Sequence, residues 1–340
     1  MSAVTSAAMS DAMSLDVRGL SIAARAAGGR TVPLVTDVSF RIAPGEAFGL
    51  VGESGSGKSM TALAALGLLR RGVAVTAGSV RLGGTELAGP GRAMPAGVRG
   101  RRIAMVFQDP MAGLNPAMRV GEQIAEVLRH HLRMGRAAAA RRAADLLGEV
   151  GIEAPARRAR DYPHTFSGGM RQRVMIAMAL ACEPAVLIAD EPTTALDVTV
   201  QAQILDLLVR MQDERGMALL LVTHDLGVVA GTCHRLAVMY AGRLVEEGPV
   251  GEVFDAPRHP YTAALLAAAP ENAMRGTAPK AIPGTVPAPG AYPPGCAFGP
   301  RCAHARPGPC DTGPVAMTES DGRRVRCARA PELALPGVPR

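Results

Sequence analysis

Eight consecutive residues, Gly52-Glu53-Ser54-Gly55-Ser56-Gly57-Lys58-Ser59, have the types and spacing to hold phosphate oxygens. They fit the pattern G-x-x-x-x-G-K-[ST]. The glycines let backbone N–H groups close around an anion where a Cβ would block the approach. The apolar run Phe48-Gly49-Leu50-Val51 before them reads as a buried strand, and Met60 to Leu66 after them reads as a helix start. That strand–loop–helix context separates a phosphate loop from an ordinary glycine-rich surface loop. The helix N-terminus adds partial positive charge. Lys58 is placed to reach the β- and γ-phosphates, and the Ser59 hydroxyl to ligate Mg²⁺. The candidate ATP-binding set is Gly52, Glu53, Ser54, Gly55, Ser56, Gly57, Lys58, Ser59 and Met60.

Further segments carry groups suited to phosphate chemistry. The strand-like run Val186-Leu187-Ile188-Ala189 ends in Asp190-Glu191. A carboxylate at the C-terminal end of a buried parallel strand sits where α/β sheets bind ligands, so Asp190 can share Mg²⁺ with Ser59. Glu191 follows it, and its alternative reading is an idle surface carboxylate. Ser167, Gly168 and Gly169 precede an apolar helical run, Val174 to Cys182, and form a second potential anion site. Gln108 follows Met105-Val106-Phe107, and His224 follows the strand-like Leu219-Leu220-Leu221-Val222. A lone histidine there is often only structural.

In this order the segments, with Ala195-Leu196-Asp197 between them, resemble the ATP-binding cassette (ABC) ATPases over about residues 15 to 255. The resemblance implies an α/β phosphate-loop NTPase cassette, with a RecA-like core, an antiparallel β subdomain and a helical subdomain. It implies that Glu191 is the general base or orients the attacking water, that His224 contacts the γ-phosphate, and that Gln108 senses Mg²⁺ and water. It implies also that Ser167, Gly168 and Gly169 close on ATP held by a second cassette, with Asp197 near that dimer seam. Two departures stand out. No aromatic residue for stacking on adenine occurs in Leu20-Ser21-Ile22-Ala23-Ala24-Arg25, which leaves an aliphatic or Arg25 surface. Phe166 and Met170 replace the Leu and Gln usual around the signature, while Ser-Gly-Gly is intact.

The elements that must position these groups can be read in outline. Residues 1–14 lack a basic start followed by an apolar stretch and read as a disordered tail. Residues 15–45 read as short strands closing at Ala43-Pro44-Gly45. Val120 to Met134 and Ala137 to Val150 show helical periodicity. They fall in the expected helical subdomain, about 109–170. Asp109 to Pro116 lies where the resemblance places the contact with a membrane partner; a proline-punctuated linker is the alternative. No apolar run approaches the roughly 18 residues needed to span a bilayer. The formal charge of +7 is concentrated late in the chain, where 256–340 hold ten Lys and Arg against five Asp and Glu. A solvated arginine-rich face, the surround of a metal cluster or a cytoplasmic surface near anionic lipid explains this better than nucleic acid, for which no module is visible.

The ATPase domain is expected over 15–255 and a distinct extension over 256–340. Sixteen of the 27 prolines lie in that extension, which argues against a regular core of its own. It also holds Cys296, Cys302, Cys310 and Cys327. A proline-rich piece of this size usually requires a staple. Arg258-His259-Pro260-Tyr261-Thr262, Ile282-Pro283-Gly284 and Gly295 through Cys302 resemble the C-terminal extension of oligopeptide and dipeptide importer ATPases, as does Thr193 through Gln203. That resemblance implies a [4Fe–4S] cluster on the four cysteines; zinc, or unligated thiols, remain alternatives. Cys182 and Cys233 read as core residues. The whole resemblance implies an ATP- and Mg²⁺-dependent subunit, peripheral on the cytoplasmic face of the inner membrane. Its partners would be a second cassette, two permease subunits and an extracytoplasmic substrate-binding protein, and its cargo di- or oligopeptides. Nickel, glutathione or oligosaccharide cargo, or a non-transport ABC ATPase, are the competing readings.

Overall fold

The structure is a computed structural model that describes residues 14–194, 196–269 and 281–338. Residues 1–13 of the expected tail, and Ala195, lie outside the described residues. The described chain divides into two units. One comprises Ser14–Ile42, Phe48–Ala93 and the chain from Val222 onward; the other comprises Ala43–Ala47 and Met94–Leu221.

The expected short strands of 15–45 are instead two long ones, β1 (Leu15–Arg25) and β2 (Thr31–Ile42). Leu15, Val17, Leu20 and Ile22 are buried along β1. Their spacing is not a strict alternation, because register shifts interrupt the antiparallel pairing after Val17 and Leu20. Such irregularities let a strand stay paired while it twists, which is why the run of apolar residues reads as broken. β3 (Ala47–Val51) is buried at every position and leads into the phosphate loop and the helix Lys58–Ala65. β4 (Val73–Leu82) and β5 (Thr85–Ala88) complete a sheet of order β2-β1-β4-β5.

The Met94–Leu221 unit holds β6 (Ile103–Val106), β7 (Val186–Asp190) and most of β8 (Ala218–Thr223), in the order β8-β7-β6. β6 and β7 are parallel, with Val106 opposite Ala189. Between them lie the helices Val120–Leu132 and Arg136–Glu149, close to the expected spans. Val120, Ile124 and Leu128 are buried on one face of the first helix, and Ala139, Ala143, Leu146 and Leu147 on one face of the second, the stripe an amphipathic helix needs. Within 109–116 the chain forms a short helix, Pro110–Gly113, capped by the Asp109 carboxylate, which accepts from the Met111 N–H at 2.8 Å.

In the Ser14-containing unit, β9 (Arg235–Tyr240) pairs in parallel with β3 and antiparallel with β10 (Arg243–Pro249). The proline-rich extension is expected to build no regular core of its own. It contributes the helix Pro260–Ala268 and two strands, β11 (Thr318–Ser320) and β12 (Arg323–Val325). β12 extends the sheet by pairing with β10, Glu246 opposite Val325. A short strand needs only one partner edge, and β10 supplies it, so the extension gains regular structure without a core of its own. The buried Glu246 carboxylate is tied to Arg323 at 2.6 Å and to the N–H groups of Arg258 and His259. Tyr261 and Phe298 of the extension share one hydrophobic cluster with Val51, Val238 and Tyr240. Among the described residues, no helix is long and apolar enough to cross a membrane.

Candidate functional site

The phosphate loop is held by backbone geometry that only glycine tolerates at two points. Gly52 has φ +148°, and a Cβ there would lie 2.1 Å from the Met239 carbonyl oxygen. Gly57, at φ +105°, starts the helix Lys58–Ala65 that carries Ser59 and Met60. Ser56 and Lys58 are buried, whereas Ser54, Gly55 and Ser59 are exposed. The Lys58 ammonium donates to the carbonyls of Gly52 at 2.7 Å and Glu53 at 3.0 Å. These bonds curl the lysine over its own loop and hold its charge at the loop's concave side.

Two residues absent from the expected site touch the loop. The Glu53 N–H donates to the Tyr261 hydroxyl at 2.9 Å. The Glu53 carboxylate pairs with both terminal nitrogens of Arg301, at 2.7 and 3.0 Å. Both partners lie in segments already singled out by resemblance, but a separation of 248 residues gave no local signal that Arg301 meets Glu53. His224, in the same unit, is exposed just past β8. Asp225 beside it caps the helix Leu226–Thr232, accepting from the Val228 N–H at 3.1 Å.

The carboxylates and the signature lie in the other unit. Asp190, 6% exposed, ends the fully buried β7. Glu191 turns sharply at φ +45°, a conformation that strains a residue with a Cβ and is often kept at functional sites. Its carboxylate accepts from Gln108 Nε2 at 2.9 Å and from the Thr194 hydroxyl at 3.0 Å. Gln108 and Glu191, distant in sequence, are thus brought together. Ser167 caps the helix Gly168–Leu180 through its hydroxyl, which accepts from the Met170 N–H at 3.3 Å. Asp197 likewise caps the helix Val198–Arg215 by accepting from the Val200 N–H at 2.9 Å. Val200 packs where a Cβ on Gly169 would lie, 2.5 Å from its Cγ1, so the signature glycine and this second helix are fitted to each other.

Comparison with known proteins adds to this geometry. Residues 35–194 match the ABC transporter family, and residues 245–310 match the C-terminal region of oligopeptide/dipeptide transporters. A protein of Brucella melitensis biotype 1 named "Putative peptide import ATP-binding protein" is 49% identical over 332 residues, covering 94% of this chain and 98% of its own. A Brucella abortus protein with the same description is 49% identical over 92% of this chain and 94% of its own. The chain belongs to the ABC transporter family. A dimeric ATP-binding cassette solved with ADP and Pi aligns at a TM-score of 0.61 and 27% identity, over 69% of this chain and 98% of its own. A subunit of an ABC transporter complex from Clostridium perfringens aligns at 0.59 and 28%, over 71% and 90%. This ABC subunit is accordingly an ATPase with the cassette fold.

The four cysteines of the ATPase's extension line one small cavity together with His259, Phe298 and Arg329. Burial pushes the Cys296 and Cys302 thiols up, and Cys327 up to about 11, so without a cation they are neutral. Burial also pushes His259 down to about 3, against a weaker opposing effect of the Arg326 backbone. Its Nδ1 accepts from the Tyr261 N–H at 3.0 Å, while its buried Nε2 has no hydrogen-bond partner. An all-sulfur donor set beside an unsatisfied polar atom suits a soft metal centre. Yet among the described residues no three His, Cys, Asp or Glu side chains are gathered closely enough to hold a metal ion. Lining a cavity is a looser condition than coordination. Cys182 is buried, as expected of a core residue, and Cys233 packs half-buried beside Gly49.

Proposed function

We propose that this ABC ATPase energises the uptake of di- or oligopeptides through partner permease subunits. The match of residues 245–310 to the oligopeptide/dipeptide transporter C-terminal region carries this reading. The relatives described as peptide import proteins agree with it. The partners are a second ABC ATPase, two permeases and an extracytoplasmic substrate-binding protein, with this chain peripheral on the cytoplasmic face of the membrane. Its division is the cassette at 15–255, with a helical subdomain at about 109–170, and the extension at 256–340.

Each residue takes a distinct task. The loop N–H groups and Lys58 bind the β- and γ-phosphates. Ser59 and Asp190 would hold Mg²⁺, which would neutralise charge developing on the phosphates. Glu191 accepts a proton from the attacking water or orients it, held at its carboxylate by Gln108 and Thr194. His224 contacts the γ-phosphate. Ser167, Gly168 and Gly169 offer N–H groups at a helix start to ATP on the second subunit, with Asp197 near that seam. In the extension, Cys296, Cys302, Cys310 and Cys327 would hold a [4Fe–4S] cluster, which would staple a proline-rich segment; zinc is the other thiolate-bound candidate.

The test of cargo is uptake of labelled di- and oligopeptides by cells carrying either the natural chain or Glu191→Gln. Loss of uptake in the variant supports peptide import. Unchanged uptake moves the cargo to nickel, glutathione or an oligosaccharide. For the cysteines, anaerobically purified protein is expected to be brown and to lose its colour in Cys302→Ser. A colourless preparation with stoichiometric zinc overturns the iron–sulfur assignment.

A further inference from the structure

Glu53 is the second residue of the phosphate loop, yet both of its polar ends are engaged by the distant C-terminal segment. Its carboxylate receives the Arg301 fork at 2.7 and 3.0 Å, with the Arg301 side chain 5% exposed and that of Glu53 29%. Arg301 is itself fixed from the other side. Its Nε donates to the Pro283 carbonyl at 2.7 Å, and Nη1 also reaches the Tyr240 hydroxyl at 3.3 Å. The guanidinium lies 5.8 and 5.9 Å from the ring centroids of Tyr240 and Phe298. The second tie is the Tyr261 hydroxyl, which accepts the Glu53 N–H. Tyr261 is fully buried, its ring 4.6 Å from Tyr240 and 5.2 Å from Phe298, and its N–H is anchored on His259.

The same residue, through its carbonyl, holds Lys58. A shift of Glu53 therefore moves a carbonyl that sets where the lysine ammonium sits. A bidentate arginine–carboxylate pair admits one orientation, unlike a single hydrogen bond. We propose that Arg301 and Tyr261 are positioning residues for the phosphate loop: by fixing Glu53 they hold the loop and Lys58 in the geometry that binds nucleotide. The C-terminal extension thus sets ATP affinity as well as marking a subfamily. The inference rests on the loop being the ATP site, and it assigns no role in the chemical step.

The experiment titrates the full chain with Mg²⁺ and a fluorescent ATP analogue and records thermal unfolding in parallel. Arg301→Gln and Glu53→Gln should each weaken binding by roughly tenfold, about 1.4 kcal/mol. The double variant should be no weaker than either single, because both remove one interaction. Arg301→Lys keeps the charge without the fork and should recover only part of the affinity. In the assembled transporter Arg301→Gln should raise KM for ATP and leave kcat within about twofold, as expected for lost binding rather than lost chemistry. An unchanged Kd in folded Arg301→Gln, or strictly additive losses, overturns the proposal. If Arg301 variants do not fold, Glu53→Gln decides alone, and unchanged affinity there overturns it. Lys58→Ala separates the two levels: undiminished binding in that variant removes the loop as the nucleotide site, and the proposal falls with it.

Discussion

The phosphate loop and the signature segment, the two proposed anion sites, both lie at helix starts and are held in opposite ways. The loop is locked from within its own unit. Ser56 and Lys58 are buried, Gly52 is wedged against Met239, and Arg301 and Tyr261 grip Glu53. The signature is open. Ser167 and Gly168 are exposed, and the Ser167 hydroxyl caps its own helix. The difference fits the two roles proposed for them. A site that must bind this chain's own nucleotide benefits from preorganisation, since a rigid cradle does not spend binding energy on ordering itself. A site that meets a nucleotide carried by another subunit must stay accessible until that subunit arrives.

That contrast can be broken or sharpened by substitution. The largest effect is expected at neither anion site but at the carboxylate. Glu191→Gln should cut ATP turnover by about 10²–10⁴-fold, the usual weight of a general base, while nucleotide binding persists. Phosphate release and an ATP titration on the same preparation separate the two. Next comes the buried pair that anchors the extension. Glu246→Ala leaves Arg323 charged at 4% exposure and should destabilise the chain by about 3–5 kcal/mol, read from denaturant unfolding. If the loop's rigidity depends on the extension, ATP affinity should fall in this variant too.

A pH-dependent prediction concerns His259. Its folded pKa, about 3, lies below the ordinary 6.5, so the unfolded chain takes up a proton first as pH falls. The stability from the neutral buried ring is present above pH 6.5 and is lost progressively as pH drops toward 3. The stability difference between the natural chain and His259→Asn should therefore shrink over that window, measured by urea unfolding at pH 7 and pH 4. Smallest is the signature cap. Ser167→Ala should cost about 1 kcal/mol of helix stability, typical of an N-cap. It should weaken ATP-dependent association of two cassettes more than the isolated chain's hold on nucleotide. Equal loss in both assays would erase the contrast between the two sites.

The legible parts of this protein are those that chain neighbours specify. The phosphate loop, the strand ending in Asp190-Glu191 and the paired helices at 120–149 are read correctly in kind, because apolar period, glycine placement and capping residues act over a few positions. The long bulged strands β1 and β2 were under-read because register shifts break the period that reveals a strand. The extension is legible only as a segment without a core of its own. Its proline content is a correct measure of local preference, but β12 owes its existence to the exposed edge of β10 and to the buried carboxylate of Glu246. No neighbour in sequence reports either.

From the sequence alone come the nucleotide chemistry, the family and the list of groups able to act on a phosphate. These depend on residue type and on spacing within short segments, where backbone geometry is nearly local. Tertiary structure alone decides that Gln108 meets Glu191, that four cysteines face one cavity, and that Glu53 is gripped by Arg301 and Tyr261. Each of these joins segments up to 248 residues apart. Hydrogen bonds and ion pairs reach only a few ångströms, so their partners are chosen by how the sheets and helices pack rather than by any pattern along the chain.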